Sequence, residues 1–209
     1  MDAYQDILNR NQAWAESQLS QDHTYFDTLS QGQSPEFLLI GCADSRIPLN
    51  VVTQTGPGNI FILKNVANQV SLDDANILAG VDYAVNVLKV KHIVVCGHTC
   101  CGGIQASMAE RLPEGPVGQW VLPIRELYHR HFDDLSTLSQ EDRAAKLTEL
   151  NVIQQVKHLA QSQSLRQRFK SAPYPRLHGW IFALETGRIC DLSLPIDDWK
   201  SKAILPQDY

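Results

Sequence analysis

The segment KHIVVCGHTCCGG, residues 91–103, joins a strand, a turn and the start of a helix. Its first six residues end in the apolar run IVVC, which is typical of a strand buried on both faces in a parallel sheet. Gly97 ends this strand, and Gly102-Gly103 leads into a short helix. The segment thus predicts one strand–turn–helix unit of an α/β fold, with His98 and two cysteines in its turn.

The rest of the chain repeats this alternation of strands and helices. Four further strands are predicted from short apolar runs, at 37–40, 59–63, 177–184 and 188–194. Helices are predicted at about 73–88, 118–132 and 140–170. The turn Glu185-Thr186-Gly187 joins the last two strands as a hairpin, because glycine adopts the positive φ that such turns need. We therefore predict an α/β fold with a mostly parallel central sheet, an antiparallel edge strand and flanking helices.

The composition excludes several classes of protein. Of the 209 residues, 44% are hydrophobic and 20% are charged, so the chain can bury a core and is unlike a disordered segment. The net charge of −5 argues against a surface built for nucleic acid or an anionic membrane. No apolar run approaches the roughly 18 residues that span a bilayer, and the first residues lack the apolar core of an export signal. We therefore expect a cytoplasmic protein, whose five cysteines are thiols or metal ligands.

A second motif, GCADSR at residues 41–46, directly follows the first apolar run. Both motifs thus lie at the carboxyl ends of predicted parallel strands, where ligands of open α/β sheets gather. Cys42, Asp44 and Arg46 alternate, so an extended segment would carry all three side chains on one face. Asp44 and Arg46 can pair through two parallel hydrogen bonds, with a solvated surface ion pair as the alternative.

The spacing His98-x-x-Cys101 allows two ligands from one turn to reach one metal ion. Cys42, at the neighbouring strand end, is the third candidate ligand, although a free cysteine is more often a small buried apolar side chain. Two thiolates and one imidazole suit Zn²⁺ with a fourth position open, the pattern of a catalytic site. The spacing favours Cys101 over the adjacent Cys100 without excluding Cys100. The other two cysteines, Cys96 and Cys190, are predicted to be buried in strands.

In this order and spacing the two motifs resemble the β class of carbonic anhydrases, which carry C-x-D-x-R and H-x-x-C. The resemblance continues through residues 57–68, 82–98 and 178–187 and covers most of residues 30–195. It implies zinc ligands at Cys42, His98 and Cys101, one zinc ion per subunit, and a catalytic dyad of Asp44 and Arg46. It also implies substrate-binding residues, and these are Gln33, Phe61, Val66, Tyr83 and Gly102. For Phe61, Val66 and Tyr83, ordinary core packing is the alternative.

The activity implied by the resemblance is reversible hydration of CO₂ to bicarbonate and a proton, carried out by a carbonate dehydratase. Zinc-bound hydroxide would attack CO₂, with Asp44 orienting the hydroxide and Arg46 holding Asp44 off the metal. One alternative is a relative that hydrolyses CS₂ or COS. Another is a non-catalytic protein that binds zinc and bicarbonate, against which the intact dyad argues.

Residues 1–30 are predicted to form an amphipathic helical arm, ended by Gly32 and Pro35. No repeat or linker divides the chain, so we predict a single domain over residues 1–209. An amphipathic arm needs an apolar surface to cover, and the resemblance implies that a second subunit supplies it. We therefore expect a homodimer or a dimer of dimers, without nucleic-acid or membrane partners.

Overall fold

The computed structural model describes residues 2–209, which form two compact units, one ending at Ser34 and the other comprising Pro35–Tyr209. The first unit holds helices α1 (Ala3–Gln21) and α2 (Tyr25–Ser30). The helical character predicted for the N-terminal residues is therefore confirmed over these two ranges, and Met1 lies outside the described residues. That this unit is an arm on a partner subunit, within one domain over residues 1–209, stays a prediction.

The second unit is built on a five-stranded sheet, and its strands are β1 (Phe37–Cys42), β2 (Ile60–Asn65), β3 (His92–His98), β4 (Arg176–Ala183) and β5 (Arg188–Asp191). Their order is β2-β1-β3-β4-β5, and only the pair β4–β5 is antiparallel. This confirms the predicted fold class. The register sets Gly41 opposite Cys96 and His98 opposite Phe182, so β1 and β3 end side by side at the same edge of the sheet.

The helices of the second unit are α3 (Leu49–Val52), α4 (Ala75–Asp82), α5 (Gly102–Met108), α6 (Pro116–Arg130), α7 (Phe132–Ser136), α8 (Gln140–Gln161), α9 (Gln163–Arg168) and α10 (Ile196–Ser201). The prediction of one long helix over 140–170 is wrong. Ser162 has an extended ψ of 149° and its hydroxyl donates to the carbonyl of Leu159, so the helix ends there and α9 begins anew. No helix was predicted at α3 or α10. No helix within residues 2–209 combines the length and the apolar character that crossing a membrane requires.

Helix α8 packs closely on the sheet beside the carboxyl end of β3. Val152, Val156 and Leu159 of this helix are fully buried. A Cβ atom on Gly97 would lie 2.7 Å from the side chain of Val152, so the absence of a side chain at Gly97 permits this approach. Because His98 follows Gly97, α8 is fixed against the strand end that carries the histidine.

Replacing Leu159 by alanine should lower the free energy of unfolding by about 2–5 kcal/mol, because the side chain is fully buried and its removal leaves a cavity. Leu122, which is 45% exposed on α6, provides the matched control, and its replacement by alanine should change stability by less than about 0.5 kcal/mol. Urea unfolding at one fixed protein concentration measures both. Equal losses in the two variants would contradict the packing described for α8.

Candidate metal centre

Two strand ends and a helix start bring Cys42, His98 and Cys101 together. Cys42 is the last residue of β1, His98 is the last residue of β3, and Cys101 directly precedes α5. Their ligand atoms all lie within 4.8 Å of one another, and the two sulfur atoms are 3.9 Å apart. All three side chains are buried. The arrangement joins the two sequence motifs at the predicted edge of the sheet.

The histidine has one nitrogen that the described residues leave without a partner. His98 is fully buried, and its Nδ1 donates to the backbone carbonyl of Thr99 at 2.8 Å. Nε2 therefore carries a lone pair and has no hydrogen-bond partner. A buried imidazole lone pair beside two thiols is a soft ligand set that fits Zn²⁺, and the bond from Nδ1 to a carbonyl fixes the tautomer that a metal ligand needs.

The pKa values of the two thiols are shifted in opposite directions. The pKa of Cys42 is lowered, chiefly because the S–H group of Cys101 donates to its sulfur, and the backbone N–H groups of Asp44 and Ala67 add to this. The pKa of Cys101 is raised because the thiol lies beside the Cys42 sulfur and is buried. A cation at these ligand atoms would displace the Cys101 thiol proton, since metals bind cysteine as the thiolate.

Asp44 and Arg46 form a bidentate pair next to these ligands. Arg46 donates from Nε to Oδ1 of Asp44 at 3.0 Å and from Nη2 to Oδ2 at 2.7 Å. The guanidinium is the main reason why the pKa of Asp44 lies well below its usual range. Oδ2 of Asp44 is 3.9 Å from Nε2 of His98, and Arg46 also donates to the carbonyl of Cys100 at 3.3 Å. The carboxylate is thus ionised, held by Arg46 and close to the ligand atoms.

The backbone that carries this pair is not extended, so that part of the sequence prediction is wrong. The strand ends at Cys42, and residues 45–46 form a turn. The backbone N–H of Arg46 donates to Oδ1 of Asp44 at 2.9 Å, which closes the turn. The turn, rather than strand alternation, brings the guanidinium back onto the carboxylate.

The residues predicted to bind substrate belong to several elements of the two units. The rings of Phe61 and Tyr83 pack 5.8 Å apart, and Tyr83 is 43% exposed. Val66 is 41% exposed in the turn after β2. Gly102 is the first residue of α5, and within residues 2–209 no atom beyond its chain neighbours and its own helix backbone lies within 4 Å of where its Cβ would be. Gln33 is exposed within the first unit.

The three remaining cysteines are free thiols with different surroundings. Cys96 is buried in β3, and desolvation raises its pKa to about 12. Cys100 is exposed and its thiol donates to the Glu185 carboxylate at 3.5 Å. The prediction that Cys190 is buried is wrong, because β5 is an edge strand and leaves this side chain exposed.

One contact at the site has no signal in either motif. The backbone N–H of Ala67 donates to Sγ of Cys42 at 3.3 Å, although the two residues are 25 positions apart. Ala67 lies in the turn after β2 and has a positive φ of 60°. A pattern of residue types does not indicate which backbone N–H reaches a sulfur, so only the folded chain reveals this donor.

Comparison with known proteins gives a consistent result. The sequence model of a family described as carbonic anhydrase matches residues 37–189. A carbonic anhydrase of Emericella nidulans is 38% identical over 189 residues, which is 90% of this chain and 82% of the relative. A crystal structure described as a tetrameric β-carbonic anhydrase of Sordaria macrospora is 34% identical, with a TM-score of 0.89 over 92% of this chain and 98% of that one. The Coccomyxa β-carbonic anhydrase in complex with acetazolamide has the same TM-score at 32% identity, over 100% of this chain and 95% of that one.

Proposed function

The chain belongs to the β class of carbonic anhydrases, a family of lyases, and from this we propose that it hydrates CO₂ reversibly to bicarbonate and a proton. The observation that carries the proposal is the buried group of Cys42, His98 and Cys101, with an unpartnered Nε2 and an ionised carboxylate 3.9 Å from it. These three residues would hold one Zn²⁺ ion per subunit. When bound, Zn²⁺ lowers the pKa of a water molecule from 15.7 to about 7, which makes a nucleophile available near neutral pH.

Within this proposal the dyad orients the nucleophile. Asp44 stays ionised at neutral pH because Arg46 lowers its pKa. Its carboxylate therefore accepts a hydrogen bond from the water-derived nucleophile that attacks CO₂. For the same reason Asp44 does not retain the proton that the reaction releases, and the proton passes to solvent or buffer. Arg46 holds the carboxylate through two bonds and is itself fixed by the carbonyl of Cys100. The pair thus keeps the Asp44 carboxylate beside the three candidate metal ligands as a hydrogen-bond acceptor, without making it a fourth ligand.

The substrate contacts follow from the chemistry of CO₂, which is small and apolar. Val66 and Tyr83 expose apolar surface within this chain, as residues that meet a substrate or a second subunit do. Gly102 begins α5, where a backbone N–H has no acceptor within the helix, and the space at its Cβ position is open, so this N–H can meet the bicarbonate anion. Roles in substrate binding for these residues, Phe61 and Gln33 stay part of the proposal.

Assembly into homodimers, or into dimers of dimers, is also proposed. Helix α1 has no buried residue, and its Tyr4, Ile7 and Trp14 are 70%, 67% and 44% exposed. Apolar surface of this kind is typical of a face that a partner covers. The predicted cytoplasmic location stays a prediction.

Stopped-flow hydration of CO₂, followed with a pH indicator on zinc-loaded protein, tests the activity. We expect kcat/KM within the range of about 10⁴–10⁸ M⁻¹ s⁻¹ found for effective enzymes, and loss of turnover after a chelator has removed the metal. The same protein is assayed for release of H₂S from COS and CS₂. Hydrolysis of these compounds without CO₂ hydration would favour the relative with another substrate. Bicarbonate binding without any turnover would favour a non-catalytic binding protein.

A further inference from the structure

The turn after β2, residues 65–70, reaches the candidate metal centre in a strained conformation. Ala67 and Asn68 have φ values of 60° and 48°, in the left-handed region. Each such residue other than glycine costs about 1–2 kcal/mol, with less for asparagine, so surrounding contacts must hold the turn. The result of this conformation is the bond from the Ala67 N–H to Sγ of Cys42, between two buried residues.

A chain of buried amide side chains on α8 holds the turn. Nδ2 of Asn151 donates to the carbonyl of Ala67 at 3.1 Å. Nε2 of Gln155 donates to Oδ1 of Asn151 at 2.9 Å, and Oε1 of Gln155 accepts from the backbone N–H of Val70, also at 2.9 Å. Asn151 and Gln155 are 1% and 4% exposed. The amide group of Asn151 is thus held on both sides, because its Nδ2 donates to Ala67 and its Oδ1 accepts from Gln155.

Other residues fix the ends of the turn rather than its centre. The side chain of Asn65 bonds to the backbone N–H and carbonyl of Gln69, and Trp120 donates to the carbonyl of Val66 at 2.8 Å. Asn151 bonds to Ala67 itself, the residue that donates to the sulfur. Burying two amide side chains requires that their donors and acceptors be paired, and here the bonds of Asn151 and Gln155 link the two amides to each other and to Ala67 and Val70 of the turn.

We propose that Asn151 is a positioning residue for the metal centre. By fixing the Ala67 carbonyl it keeps the left-handed turn in place and holds the Ala67 N–H on Sγ of Cys42. An N–H donor withdraws charge from a thiolate, so this bond reduces the electron density that Cys42 gives to a metal ion. Mutation of the groups that hydrogen-bond to metal ligands commonly lowers metal affinity or activity by about 10–100-fold. The inference rests on the proposed function, since it requires a metal ion at Cys42, His98 and Cys101.

The test uses Co²⁺ in place of zinc, because the energy of the thiolate-to-cobalt charge-transfer absorption reports the electron density on sulfur. In Asn151→Ala, which leaves room for water at the Ala67 carbonyl, this band should move to lower energy. Zinc affinity, measured by competition with a chelator, should fall about 10–100-fold, because a turn that is no longer held positions Cys42 less well for the metal, and this loss outweighs the gain in electron density on its sulfur. Gln155→Ala should change both quantities in the same direction by less, and it serves if Asn151→Ala does not fold.

Thr148→Val is the matched control on the same helix. Thr148 is also buried, and among the described residues its hydroxyl bonds only to the carbonyl of Ala144 in the same helix. Valine keeps the methyl group that packs near Gly97. Its cobalt spectrum and zinc affinity should equal those of the wild type. A folded Asn151→Ala or Gln155→Ala variant with a wild-type band and affinity would overturn the role of Asn151, as would an equal shift in Thr148→Val. A wild-type protein that gives no thiolate–cobalt band would instead refute the metal site and the proposed function.

Discussion

Replacing Cys101 by serine should remove zinc from the protein and lower CO₂ hydration by at least about 10³-fold. The side chain is buried with its sulfur 3.9 Å from that of Cys42, so serine removes one of three ligands without filling its place. A serine hydroxyl is a poor ligand for Zn²⁺ compared with a thiolate, so the variant keeps two effective ligands, Cys42 and His98. A bound metal supplies several kcal/mol of transition-state stabilisation, and each 1.36 kcal/mol is a factor of about ten in rate.

Cys100→Ser is the control, because it makes the same chemical change one residue earlier in the chain. The Cys100 side chain is exposed and its thiol bonds to Glu185, a bond that a serine hydroxyl can also make. This variant should keep one zinc ion per subunit, measured by elemental analysis of dialysed protein, and near wild-type hydration. Loss of zinc from Cys100→Ser together with retention in Cys101→Ser would reverse the ligand assignment.

The choice between these two cysteines shows what sequence spacing contributes and where it stops. The spacing identified a turn with a histidine and two cysteines. It did not decide which of the two adjacent cysteines faces the histidine, because that depends on the backbone conformation of the turn. Cys100 has a positive φ of 55° and is exposed, while Cys101, which directly precedes α5, has its side chain buried. The strand ends that gather the ligands were predictable because apolar runs mark buried parallel strands and their carboxyl ends meet at one edge.

Hydrogen bonds between groups that are far apart in the chain were not predictable in this way. Asn151 and Ala67 are 84 positions apart and neither belongs to a motif, so nothing in the sequence links them. The prediction that Cys190 is buried was wrong although β5 was correctly predicted as the edge strand, because an apolar pattern does not state whether another element covers the side chains of that strand. Periodicity likewise continued through Ser162, where a local hydroxyl bond ends α8. These features depend on tertiary neighbours, which composition and spacing do not specify.

Replacing Asp44 by asparagine should lower CO₂ hydration by about 10²–10³-fold while zinc stays bound, which separates the dyad from the metal ligands. Asparagine has nearly the same shape, but its NH₂ group stands where one carboxylate oxygen accepts from Arg46 at 2.7 Å. The variant therefore loses both the negative acceptor and half of the bidentate pair. Elemental analysis should give wild-type zinc, and stopped-flow assays should show the loss mainly in kcat.

Arg46→Ala and Arg46→Lys then test what the guanidinium does for the carboxylate. In Arg46→Ala the carboxylate is free to move, and it starts only 3.9 Å from Nε2 of His98, so we expect it to approach the metal and close the open position. Hydration should fall about as far as in Asp44→Asn, with zinc retained. Lysine keeps the charge without the planar fork, so Arg46→Lys should recover only part of the activity. Full activity in Arg46→Ala would mean that Asp44 needs no anchor, and the dyad would then have no orienting role in this site.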